Sequence, residues 1–144
     1  DGMLGDGTTT TRLQPVEVLT GEGLTPGTVS RVAVSDTSAC ALTNDDKLFC
    51  WGSNADGQLG INSITPAYST TPKMVYRGTT GDDIGNRTIS SLVGGGWRAC
   101  AIADNKLFCW GSNNYYQVGD GTDTDRYRPT LVRYMKQRKT PIWY

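Results

Sequence analysis

An eight-residue sequence occurs twice in this chain of 144 residues, and this repeat constrains the fold more than any other feature. Residues 47–54 read Lys-Leu-Phe-Cys-Trp-Gly-Ser-Asn, and the same residues recur at 106–113. The similarity extends upstream, because Ala39-Cys40-Ala41-Leu42 corresponds to Ala99-Cys100-Ala101-Ile102. Self-similarity at a fixed spacing indicates one array of repeated units, not several unrelated domains.

A partial copy precedes the two full ones. Leu4-Gly5-Asp6-Gly7-Thr8 resembles Val118-Gly119-Asp120-Gly121-Thr122, and each copy then runs through threonine-rich sequence to a proline. A short apolar strand is expected after each of these prolines, Pro15, Pro72 and Pro129. We therefore divide one domain into a partial unit at 1–20, a full unit at 28–77, a full unit at 87–133, and a C-terminal tail or closing segment at 134–144.

Each full unit contains a predicted β-hairpin. Pairing Cys40 with Cys50 leaves a three-residue turn, and pairing Cys100 with Cys109 leaves the two-residue turn Asp104-Asn105. Side chains alternate along a strand, so Cys and Leu share one face of each hairpin while Phe and Trp share the other. Both faces are apolar, so each hairpin needs cover on both sides. The 18 glycines and 7 tyrosines also favour short strands and tight turns.

The combined motif resembles the repeat of the regulator of chromosome condensation family. The residues that carry the resemblance are Leu92-Val93-Gly94-Gly95, Ala101-Ile102, Trp110-Gly111-Ser112-Asn113 and Gly57-Gln58-Leu59-Gly60. The resemblance implies an all-β fold made of β-propeller blades, each a four-stranded antiparallel sheet. This chain would supply about two and a half blades of a larger propeller. The cysteines suggest a secreted, bacterial-like variety of the family.

The four cysteines have three possible roles. They could be free and buried as small core residues, or they could bind zinc, although the close cysteine spacing and the histidine of a typical zinc site are missing. The hairpin register instead places each pair about 4.5–5.5 Å apart between Cα atoms, which a disulfide spans. We predict the disulfides Cys40–Cys50 and Cys100–Cys109, and with them an extracellular, periplasmic or cell-surface location.

Residues that differ between units are the candidates for binding a partner. Trp97 and Arg98 occur where the other full unit has Thr37 and Ser38, and Tyr115 and Tyr116 align with Ala55 and Asp56. Trp, Tyr and Arg are enriched at binding hot spots. The residues that repeat, by contrast, are predicted to be structural, and these are Trp51, Trp110, Gly52 and Gly111.

Composition argues against several functions. Fourteen basic and fourteen acidic side chains cancel, which disfavours general electrostatic binding to nucleic acid. Histidine is absent, and with it the commonest general base and metal ligand. The carboxylates of residues 120–125 lack the spacing of an EF-hand loop. No apolar run is long enough to cross a bilayer. We therefore expect no metal, no cofactor and no membrane span in this segment.

The sequence favours a non-catalytic module for protein interaction or adhesion in a secreted or cell-surface protein, which could be part of a surface filament. Its partner would be a protein or a cell-surface ligand. Further blades, a second copy or another subunit should also cover the open blade edges. The alternative is nucleotide exchange on a small GTPase or a chromatin-associated role, as the resemblance to nuclear family members implies.

Overall fold

The chain is all-β, as the repeat predicts. The computed structural model describes residues 2–25 and 27–133, and within these ranges the chain forms eight strands and no helix. The strands are β1 (Val29–Val34), β2 (Ser38–Thr43), β3 (Leu48–Ser53), β4 (Tyr68–Met74), β5 (Ile89–Gly95), β6 (Arg98–Ala103), β7 (Lys106–Gly111) and β8 (Arg126–Leu131). A helix with the length and hydropathy of a membrane span is therefore missing from these two ranges.

The eight strands form two separate four-stranded sheets. Strands β1–β4 make the first sheet, called blade 1 here, and β5–β8 make the second, called blade 2. Within each blade the strands lie side by side in chain order, and every neighbouring pair is antiparallel. This is the four-stranded antiparallel blade that the family resemblance implies.

The central hairpin of each blade has the register expected from the sequence. Cys40 lies opposite Cys50 in blade 1, and Cys100 lies opposite Cys109 in blade 2. Asp104 and Asn105 both have positive φ, at 46° and 61°, which a two-residue turn of type I′ requires. The first hairpin has one more turn residue, and there Asp46 alone adopts positive φ, at 61°.

The strands predicted after the prolines are wrong in position. Pro72 lies inside β4 and Pro129 inside β8, and residues 2–25 contain no strand after Pro15. The pairing of β4 with β3 is interrupted between its contacts at Ser69 and Lys73, and that of β8 with β7 shows the same interruption. Each proline therefore falls in an irregularity of an edge strand, where its missing N–H is not needed for the ladder.

The core lies between the two blades. On blade 1 it contains Cys40, Leu42, Leu48 and Cys50, and on blade 2 it contains Ala99, Ala101, Phe108 and Trp110. The Cys-Leu face of one blade thus packs against the Phe-Trp face of the next. The matching Phe-Trp face of blade 1 packs instead against the N-terminal segment, residues 2–25, through Trp51 and Val18. Each face of blade 1 is therefore covered by a neighbouring unit.

Candidate protein-interaction surface

Both cysteine pairs are disulfides. Cys40 is bonded to Cys50 and Cys100 to Cys109, with Cα atoms 4.1 Å apart in each pair. No free cysteine occurs, because these are the four cysteines of the chain. The two bonds differ in surroundings: Cys40 and Cys50 are buried in the core between the blades, whereas Cys100 is partly accessible on the outer face of blade 2. Each disulfide crosslinks the central hairpin of its blade, and in blade 2 this hairpin lies between the two loops that carry the candidate binding residues.

The repeated tryptophans connect each unit to the one before it. Trp110 is fully buried and donates its indole N–H to the Gln58 carbonyl, 2.9 Å away. Trp51 donates in the same way to the Met3 carbonyl, at 2.8 Å. These side chains are therefore packing residues with a specific hydrogen bond between units.

The glycine that follows each tryptophan is required by the backbone. Gly52 and Gly111 have φ of 98° and 106°, a region that residues with a side chain rarely adopt. A Cβ atom on Gly111 would lie 2.4 Å from the carbonyl oxygen of Trp97, and one on Gly52 would lie 2.5 Å from that of Thr37. The glycine thus lets the turn between the first two strands approach the third strand closely.

A buried asparagine organises the loop after the third strand of each blade. The Asn113 side-chain amide donates to the carbonyls of Thr122 and Thr124, and its oxygen accepts the N–H of Val118. Asn54 makes the corresponding bonds in blade 1, to the carbonyls of Ser63 and Pro66 and from the N–H of Leu59. This role is not predicted from the sequence, although the asparagine is part of the repeated octapeptide.

Trp97 and Arg98 lie at the turn between β5 and β6. Trp97 is 52% exposed and Arg98 is half-buried. The Trp97 carbonyl accepts the N–H of Ser112, 3.0 Å away, which places this turn beside the start of the loop between β7 and β8.

Tyr115 and Tyr116 lie in that β7–β8 loop, and they are 81% and 64% exposed. Both aromatic pairs therefore belong to the same end of blade 2. The alignment of Tyr115 and Tyr116 with Ala55 and Asp56 is wrong by one residue. The N–H of Tyr115 bonds the Gln117 side chain as the N–H of Asp56 bonds that of Gln58, so Tyr115 corresponds to Asp56 and Tyr116 to Gly57.

The acidic stretch at 120–125 is held by its own loop. Asp120 is buried and accepts the N–H and hydroxyl of Thr122, at 3.0 and 2.9 Å, and it pairs with Arg126. Burial alone would raise the pKa of the Asp120 carboxyl, but the bonds from Thr122 and Arg126 outweigh it and lower that pKa. Asp6 makes the same contacts with Thr8 and Arg12. In residues 2–25 and 27–133, the acidic and cysteine side chains form no group of three suited to a metal ion.

In the loop between β3 and β4 of blade 1, the pKa of one carboxyl is raised, whereas that of Asp120 is lowered. Burial, and after it the negative charge of Asp125, raise the pKa of the Asp56 carboxyl. Since Tyr115 occupies this position in blade 2, the two blades present loops of different charge and aromatic character at the same site.

The outer face of blade 2 is an exposed apolar surface. Val93, Ile102 and Leu107 are 57%, 39% and 41% exposed there. On blade 1 the corresponding face is buried against blade 2, and the counterpart of Leu107, Leu48, is 1% exposed. Blade 2 therefore carries two open surfaces, the aromatic loops at one end of its sheet and the apolar face beside them.

Parts of both blades resemble a known repeat in sequence. Two segments, 29–58 and 104–142, each match one of two family models that share the description "Regulator of chromosome condensation (RCC1) repeat". Together these segments make up just under half of the chain, and they are similar to RCC1 repeats. The predicted resemblance to this repeat is confirmed, whereas the secreted, bacterial-like variety stays a prediction.

Known proteins are similar to this chain in sequence or in structure. The rat "Probable E3 ubiquitin-protein ligase HERC4" is 28% identical over 111 residues, which are 77% of this chain and 10% of that protein. The structure of human WBSCR16 is similar with a TM-score of 0.69 and 21% identity, covering 92% of this chain and 32% of that one. The structure of Prp20p from Saccharomyces cerevisiae, a protein described as binding Gsp1p and histones, is similar with a TM-score of 0.66 and 18% identity. This match covers 80% of the present chain and 28% of the Prp20p chain. The chain thus spans a tenth of the length of HERC4 and about a third or less of these propeller structures.

Proposed function

We propose that this chain is a non-catalytic protein-interaction module, in which the RCC1 blades present Trp97, Arg98, Tyr115 and Tyr116 to a protein partner. The observation that carries the proposal is the contrast between the two blades. Their hairpins share eight identical residues, and the residues that pack or connect blades are kept. The two loops at one end of the sheet differ, and three of the four substituted side chains are more than half exposed aromatics.

Packing does not require these aromatic side chains. Trp97 stands where blade 1 has Thr37, and Tyr115 stands where it has Asp56. The backbone carbonyls of Trp97 and Thr37 nevertheless accept equivalent bonds, and the N–H groups of Tyr115 and Asp56 donate equivalent bonds. Exposed Trp, Tyr and Arg side chains are the residues that contribute most to binding at protein interfaces. Prp20p, which has a similar fold, is described as binding Gsp1p and histones, and this supports an interaction role for the blades.

The two disulfides support a location in an oxidising compartment. Disulfides persist in extracellular, periplasmic and cell-surface proteins and are rare in the cytosol. We include a secreted or surface-exposed site of action in the proposal, with adhesion as one form that the interaction takes. Mass spectrometry of the protein taken from its native source without reduction tests this part, because four free thiols there would contradict it.

The interaction role is tested by replacing Trp97, Arg98, Tyr115 and Tyr116 together with alanine. Immobilised wild type and variant are exposed to surface extract from the native source, and cross-linked proteins are quantified by mass spectrometry. A specific partner should be retained by the wild type and lost at least about tenfold from the variant, as removal of hot-spot residues predicts. Thermal stability should change little, since these side chains are largely exposed.

A matched control carries alanine at the opposite end of the sheets. Asn44, Lys47 and Lys106 are exposed at the hairpin turns and take no part in the aromatic loops. This variant should retain the same partner as the wild type. Equal retention by the aromatic-loop variant, or loss of the partner from both variants, would contradict the proposed surface.

A further inference from the structure

A four-residue turn in the loop after the third strand has the same backbone in three successive units. This turn begins at Gly2 in the N-terminal segment, at Gly57 in blade 1 and at Tyr116 in blade 2. The first residue of each turn has positive φ, at 72°, 81° and 62°. In each turn its carbonyl accepts the N–H of the residue three positions later, at 3.1, 2.9 and 3.1 Å. The three positions are therefore equivalent in structure, although the third is a tyrosine.

In the first two units this position lies against the fourth strand of the next blade. A Cβ atom on Gly2 would lie 2.8 Å from the Cα of Thr70 in β4, and one on Gly57 would lie 2.8 Å from the Cα of Tyr127 in β8. Thr70 and Tyr127 occupy the same position, because the residues before them pair with Gly52 and Gly111. Cβ atoms essentially never approach other heavy atoms this closely. The contact between units therefore requires glycine.

A hydrogen bond accompanies each of these close contacts. The N–H of Gly7 donates to the Thr70 carbonyl at 3.0 Å, and the N–H of Asn62 donates to the Tyr127 carbonyl at 2.6 Å. The residue of blade 2 equivalent to Gly7 and Asn62 is Gly121. The same contact, repeated a third time, would bring a fourth strand to Gly121 and onto the Cβ of Tyr116.

We propose that Tyr116 determines how blade 2 accepts a further repeat unit, by excluding the contact that joins the units before it. A unit that covers Val93, Ile102 and Leu107 must hold its fourth strand away from Tyr116, which leaves Tyr115 and Tyr116 open. Blade 2 retains the residues that would accept the tryptophan of a further unit. Gly119 stands where Gly60 receives the indole of Trp110, and the Gln117 carbonyl stands where that of Gln58 accepts it. The occupant of this face is thus a repeat unit with the same tryptophan and a displaced fourth strand.

The exclusion is tested first at Gly57 in the full chain, where the next unit is present. In Gly57→Tyr and Gly57→Ala, the β8 strand should move away and the Asn62 amide should exchange with deuterium about tenfold faster or more, as for a locally opened contact. Asp56→Tyr, one position earlier, is the control and should leave this exchange unchanged. If Gly57→Ala keeps the Asn62 amide as protected as in the wild type, a side chain at this position is compatible with a docked unit, and the proposal fails.

The role of Tyr116 itself is tested by adding a unit. The full chain is extended at its C-terminus with a second copy of residues 78–133, the segment that contains blade 2 and its connection. With Tyr116→Gly the Gly121 amide should become protected from exchange by the added fourth strand, as Asn62 is in the wild type. With Tyr116 retained it should exchange at least about tenfold faster. Equal exchange of the Gly121 amide in the two chains, fast or slow, would overturn the assignment to Tyr116.

Discussion

The indole of Trp110 in blade 2 donates a hydrogen bond to the backbone carbonyl of Gln58 in blade 1, across 2.9 Å in a fully buried site. The same relationship between Trp51 and Met3 ties blade 1 to the N-terminal segment. The residue that makes the repeat most recognisable in sequence therefore also makes the contact between repeats. At each of these two junctions, one tryptophan indole and one backbone carbonyl join successive units.

Trp110→Phe should lower the free energy of unfolding by about 2–4 kcal/mol, because it removes buried volume and leaves the Gln58 carbonyl without its donor. Urea denaturation followed by circular dichroism measures the change. Trp97→Phe is the control, since Trp97 is half exposed, and it should alter stability by less than about 0.5 kcal/mol. Similar losses in the two variants would mean that the bond to Gln58 does not stabilise the blade contact.

The two disulfides should differ in their reaction with a reductant under native conditions. Cys100 is partly accessible, whereas Cys40 and Cys50 are both buried between the blades. A mild thiol reductant should therefore open Cys100–Cys109 first, and alkylation followed by peptide mapping would show the label on that pair. Reduction of the Cys40–Cys50 disulfide should occur only after the blades have separated. Prior labelling of Cys40 and Cys50 would contradict the buried position of their bond.

Removal of either disulfide should also cost stability. Each closes a short loop, with sequence separations of 10 and 9, for which the chain-entropy estimate is about 2–3 kcal/mol. Replacing Cys100 and Cys109 together with alanine should approach this figure in urea denaturation. The same change at Cys40 and Cys50 should cost more, because it also removes packing from the core between the blades.

The hairpins were predictable because the residues that determine their pairing are close together in the sequence. Strand alternation fixes the pairing of Cys40 with Cys50, and the turn residues fix where the strands reverse. The loop comparison failed for a related reason. Cys40 and Cys100 are 60 positions apart, but the shorter turn of the second hairpin reduces the offset to 59 at Lys47 and Lys106. Comparison beyond the hairpin at the earlier offset misaligned Tyr115 and Tyr116 by one residue.

Contacts between units could not be predicted in the same way. The close approach of Tyr127 to Gly57 and the bond from Trp110 to Gln58 join residues that are distant in sequence. No periodic pattern specifies which carbonyl a tryptophan reaches or which glycine a strand covers. The irregular fourth strands were misplaced because proline inside a strand is compatible with pairing only at an edge or bulge, and the sequence does not show which edge is open.

The last prediction concerns acid, and it depends on the buried carboxylate of Asp120. Bonds from Thr122 and Arg126 lower its pKa from the ordinary value of 3.8 in spite of burial. A carboxyl whose pKa is lower in the folded protein stabilises it above the unfolded value, and this contribution is lost as pH falls through the folded value. Asp120→Asn should therefore be less stable than wild type at pH 7, and the difference in the free energy of unfolding should shrink below about pH 4.

Asp6, with its matching contacts to Thr8 and Arg12, is present in both proteins and cancels in the difference. Asp123→Asn, an exposed change in the same loop, is the control and should leave the free energy of unfolding at pH 7 close to that of the wild type. A difference for Asp120→Asn that stays constant from pH 7 to pH 3 would mean that the charge of Asp120 does not stabilise the loop.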